Sequence, residues 1–145
     1  MGSPSKLSPW SLCLILACSS CSASPPRHHP ADAAAREWLA LLDARRYGET
    51  WTEGSEQLRL GVSQEGWARA LKGVHAESGA FEHRELHAIR EMNRVRNLLE
   101  PGEFVIVQYE SQYQKLPGVE TLVLHHEGDA WRVSGYRVEP KMPWD

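Results

Sequence analysis

Between residues 33 and 78 the apolar positions recur at intervals of three and four, and beyond Gly79 the interval falls toward two. Ala34, Trp38, Leu41, Leu42 and Arg45 follow helical spacing, which predicts a helix from Ala33 to Arg46. Asp32 stands where an N-cap is expected, Arg45 and Arg46 suit the negative end of the macrodipole, and Gly48 closes the segment. A short second helix is expected to carry Trp51, Ser55 and Leu58 on one face. Ser63 then caps a third, with Trp67, Leu71 and Val74 at i, i+4 and i+7, ending near Ser78-Gly79. Each helix brings one tryptophan to its apolar stripe, a pattern that belongs to a core before it belongs to a cofactor.

The second half reads as strands. Phe81 to Ile89 is the first, and Glu103 to Gln114 the clearest. In the latter Val105, Val107, Tyr109, Ser111 and Tyr113 share one face, while Phe104, Ile106, Gln108, Glu110 and Gln112 share the other. Pro101-Gly102 and Pro117-Gly118 supply turns on either side. Val119 to His126, the Gly128-Asp129 connection and Ala130 to Val138 complete a meander. Gly135 marks a bulge that would turn Tyr136 onto the face of Val133. Three helices packed on a curved antiparallel sheet make an α+β domain over residues 32–139, followed by a tail over 140–145.

The chain has 145 residues and a formal net charge of −3, which fits one domain and gives no reason to expect a nucleic-acid partner. Its three cysteines, Cys13, Cys18 and Cys21, all lie near the N-terminus, so thiol chemistry is absent from the sequence beyond Cys21. Lys6 followed by an apolar run ending at Ala17 has the form of an export signal over residues 1–17, and the run is shorter than the roughly 20 residues a membrane span needs. Ile15-Leu16-Ala17-Cys18 resembles the lipobox of bacterial lipoproteins, with Cys18 as the lipidated residue and residues 18–31 as a tether. Ser19 resembles the outer-membrane sorting preference. Two alternatives stay open: Cys21 as the lipidated residue, and ordinary cleavage after Ala23 that releases a soluble periplasmic or secreted protein.

Several segments in order, Ala35-Arg36-Glu37-Trp38-Leu39, Thr50-Trp51 with Ser55, Val62 to Trp67, Pro101 to Tyr109, Val119-Glu120-Thr121 and Trp131 to Tyr136, are similar to the bacterial domain of unknown function 4019 family. The resemblance covers about residues 33 to 138 and implies a fold like nuclear transport factor 2, a cone in which helices fill the concave face of the sheet. It implies no catalytic residue. The chain departs from that pattern at His83 and His87 and in the basic connection of Arg90, Arg94 and Arg96.

His83, Glu85 and His87 would project from one strand face, but the outer pair is then about 13 Å apart at Cα, too far to share a metal ion, so no metal site and no cofactor is assigned. His125 and His126 point to opposite faces. Arg132 and Glu120, on neighbouring strands, are expected to pair. The face of Tyr109, Ser111 and Tyr113, with Trp67 and Trp131, is the expected lining of any interior pocket. Glu110 fails as a base for those tyrosines because it alternates to the other face. These features predict a lipid-anchored, non-catalytic binding or assembly module of the cell envelope, with an open sheet face that a second copy could cover. The alternative is a small pocket enzyme of isomerase or dehydratase type, built on Tyr109 and Tyr113 and acting on a small apolar ligand.

Overall fold

Pro30 at the first helical position lacks only an N–H that would have gone unbonded, so α1 (Pro30–Asp43) starts there in a computed structural model that describes residues 29–92 and 102–141. His29 is its cap, the Nδ1 atom accepting the Ala31 N–H at 3.1 Å. Asp32, expected in that role, lies inside the first turn, 2% exposed, with its carboxylate accepting the Tyr109 hydroxyl at 2.5 Å. The helix ends in a Schellman turn: Arg46 N–H reaches Leu41 O and Arg45 N–H reaches Leu42 O, both at 2.9 Å, with Arg45 at φ 59°.

The single second helix of the sequence reading is two. α2 (Tyr47–Thr52) and α3 (Glu56–Gly61) are separated because Ser55 turns its backbone N–H to Val133 O at 2.8 Å and caps α3 through its hydroxyl. α4 (Gln64–Ser78) begins at the predicted cap, Ser63, and stops at Gly79, whose φ of 86° disfavours any other residue.

Four strands follow, β1 (Phe81–Met92), β2 (Phe104–Tyr113), β3 (Pro117–Glu127) and β4 (Ala130–Pro140), antiparallel and adjacent in chain order. α1 packs on the inner face against β4, β2 and β3, and the core forms where Trp38, Leu39 and Leu42 meet Val107, Tyr109, Leu122, Leu124 and Val133. In β4 the bulge falls as expected: Leu124 faces Val133 and Leu122 faces Tyr136, so both β4 residues point inward. The inserted residue, Ser134, causes this, since Gly135 has room for a side chain. β1 runs three residues past its expected end. The expected tail is also shorter, because β4 continues to Pro140 and Lys141 N–H bonds to Pro117 O at 3.0 Å. The outcome is the α+β architecture expected. Among the described residues no helix is long and apolar enough to cross a membrane. Cys18, Cys21, Arg94, Arg96, Met142 and Trp144 lie outside the described residues.

Candidate functional site

Strict alternation along β3 puts Glu120 on the same face as Leu122 and Leu124, deep inside the domain and 0% exposed. A carboxylate there survives only with full hydrogen bonding. Arg84 of β1 donates to it from Nε at 2.8 Å, Tyr136 of β4 donates its hydroxyl at 2.8 Å, and Ser111 of β2 donates a short bond. The same guanidinium forks onto Asp43 at the end of α1, at 2.7 and 2.9 Å, and lies over the Phe81 ring. Tyr113 and Tyr136 hydroxyls are 3.5 Å apart. The network thus joins α1 to all four strands.

Burial works against the Arg84 charge, but bonds to Asp43 and Glu120 outweigh it and raise the guanidinium's pKa above its ordinary value. Burial, followed by the Glu120 charge, raises the hydroxyl pKa of both Tyr113 and Tyr136. Burial and the bond to Asp32 do the same for Tyr109. All three therefore serve as proton-holding donors.

Of the residues singled out from the sequence, Tyr109, Ser111 and Tyr113 face inward together and are 0%, 4% and 1% exposed. Ser111 and Tyr113 join the Glu120 network, whereas Tyr109 turns to Asp32. Trp67 is half-buried on α4 and donates to Thr50 Oγ1 at 3.0 Å. Trp131 stands at the other end of the sheet, its ring edge-on to His29 and tilted against His126. Glu110 is on the outer face, where its bond to Lys141 at 2.7 Å depresses the carboxyl pKa.

Arg132 does not pair with Glu120. Glu120 lies opposite Val138, and Arg132 reaches Glu53 at 3.6 Å instead. The Asp43–Arg84–Glu120 chain is what sequence reasoning missed; its signal was the parity of Glu120 with Leu122 and Leu124.

An open cleft of about 430 Å³ lies between α1, α2 and the start of β4. Trp38, Trp131, Glu37, Glu49 and Glu53 are among its lining residues. Glu49 is paired with Arg46 and Glu53 with Arg132, which also lines the cleft, so the site can take a ligand with an apolar body whose donor edge meets Glu37. His83 and Glu85 face outward on β1, and His87 Nδ1 is 3.3 Å from Glu110.

The model of a protein family described as protein of unknown function (DUF4019) matches residues 34–136, more than half of the chain. The chain belongs to the DUF4019 family. No curated protein matches it. Among solved structures, this DUF4019 chain is similar to Bd1075 of Bdellovibrio bacteriovorus, with 13% identity and a TM-score of 0.49. That match covers 77% of this chain, which spans 40% of the length of Bd1075. It is also similar to a protein of Thiobacillus denitrificans described as a calcium/calmodulin-dependent protein kinase type II association domain. There the identity is 16%, the TM-score 0.50, and coverage 77% of this chain and 94% of the other. A Novosphingobium aromaticivorans chain described as a scytalone dehydratase gives 11% identity and a TM-score of 0.46, over 78% and 83% of the two chains. The DUF4019 domain accordingly has the cone fold of the nuclear transport factor 2 type.

Proposed function

We propose that this DUF4019 protein is a lipid-anchored, non-catalytic binding module on the periplasmic side of the bacterial envelope, held by an acylated Cys18. The observation that carries the binding part is the state of the interior. Glu120 is enclosed by Arg84, Ser111 and Tyr136, and Tyr109 by Asp32, so the polar groups at the heart of the cone hold one another. An open concavity offered to a ligand is the Trp38–Trp131 cleft instead. The anchor part is supported by the lipobox-like Ile15-Leu16-Ala17-Cys18 and the acid-free sequence before Asp32.

On this reading the outer sheet face, where Ile106, Val119 and Val123 are half-buried, receives a second copy of the chain. Intact mass of protein from its native membrane tests the anchor: a diacyl or triacyl Cys18 is expected, and an unmodified N-terminus at Ser24 overturns it. Material co-purifying from the envelope tests the cleft by comparison with Trp131→Ala. Loss of a defined species supports the reading. An unchanged set, together with turnover of a small molecule abolished by Tyr109→Phe, would favour the pocket enzyme.

A further inference from the structure

Where α1 gives way to α2, Arg45, Arg46 and Tyr47 face Lys72 and His75 of α4 across two adjoining hollows of about 390 and 400 Å³. The two hollows share Arg45, Tyr47 and Lys72. Charge on this lining is lopsided. Its carboxylate, Glu49, is ion-paired with Arg46, and nearby Asp43 is held by Arg84. Arg45 and Lys72 are exposed and have no ion-pair partner among the described residues. Along α4, the neighbours of Lys72 at three and four residues are Ala68, Arg69, His75 and Ala76, none of which can neutralise it. Tyr47 and His75, each 8% exposed, are joined at 2.9 Å between hydroxyl and Nδ1.

The backbone adds a second observation. Arg45 occupies the left-handed position of the Schellman turn, where glycine is the residue that fits without strain. The chain therefore carries an unpaired cation at a place its backbone would give to glycine, and that cation borders a hollow with a second unpaired cation opposite.

We propose that this hollow binds an oxyanion of the phosphate class, with Arg45 and Lys72 as its two charged walls and the Tyr47–His75 pair beside them. A guanidinium offers a planar fork and an ammonium a point charge, the usual complement for a tetrahedral oxyanion. His75 provides the readout. Burial first, then the Arg45 charge, lowers its pKa; Arg84 acts the same way, while Asp43 and Glu120 oppose. An anion seated against Arg45 cancels part of that field and raises the value.

The test follows the His75 ring by NMR in the full-length protein, titrated with inorganic phosphate against chloride at matched ionic strength. Saturable binding is expected, with the His75 titration moved to higher pH. Arg45→Gly, which the backbone accepts, and Lys72→Glu should each weaken binding by at least about tenfold. Sedimentation with phosphatidylcholine vesicles, with and without phosphatidylglycerol, distinguishes the source. Capture by the anionic vesicles that depends on Arg45 and Lys72, without saturation by free phosphate, makes a lipid headgroup the ligand and upholds the site. Neither arm depending on Arg45 and Lys72 overturns it.

Discussion

Glu120 is the residue whose loss reaches furthest. Glu120→Ala leaves Ser111 without its acceptor, Tyr136 with only the 3.5 Å approach to the Tyr113 hydroxyl, and Arg84 with Asp43 alone among its carboxylates. Breaking a buried pair in this way costs about 3–5 kcal/mol, read as a lower urea midpoint. Ser111→Ala removes one donor and costs about 1–3 kcal/mol. His75 sets a pH dependence. Its folded pKa is below the ordinary 6.5, so the unfolded chain binds more protons in the interval between the two values. Stability therefore falls as pH is lowered from 6.5 through the folded value, and His75→Gln should remove that slope from the difference between wild-type and variant denaturation curves. Tyr109, Ser111 and Tyr113 were legible as one inward face because β2 keeps strict alternation. Arg84 was not. Counting by twos from Phe81 puts Arg84 on the far face, but the register shift after Phe81 turns Arg84 and Leu86 to the side of Ser111 and Tyr109, and a second shift after Leu86 restores the count at Ile89.

At the scale of elements, caps decide where helices begin. Ser55 bonds the Leu58 N–H, receives the Ser134 hydroxyl at 2.8 Å and ties its own N–H to β4, so it fixes α3 and docks it in one place. Ser55→Ala should cost about 1–2 kcal/mol, more than Ser63→Ala, whose exposed cap bonds one N–H. Thermal unfolding of the two variants side by side checks the order. Helical periodicity located α1 and α4 well, since Trp38, Leu42 and Leu71 keep their spacing. It could not separate α2 from α3, because the break at Gly54-Ser55 is made by a strand nearly eighty residues later, through Val133 O. The start of α1 was misread for a related reason: Asp32 is an attractive cap in isolation, and the burial that gives it to Tyr109 is tertiary.

For the whole molecule, one sheet face is covered by helices and the other by no described element. If two copies meet on the outer face, Ile106→Lys should shift sedimentation toward the monomer while leaving the melting temperature within about 2–4 °C of wild type. Unchanged sedimentation would remove that face from the proposed assembly. Sequence periodicity captured the layer architecture, and the family resemblance agreed with it, but the cleft between α1, α2 and β4 joins segments too far apart in the chain for either to reveal. That same packing of α1 on β4 governs how the protein is made. Pro30 and Ala130 are about 100 residues apart, so at roughly 5–20 residues per second a ribosome releases the first helix some 5–20 s before its strand. Until β2, β3 and β4 have all followed, Trp38, Leu39 and Leu42 lack part of the strand surface they pack on, and a chaperone that grips nascent apolar stripes has its binding site before the sheet is complete.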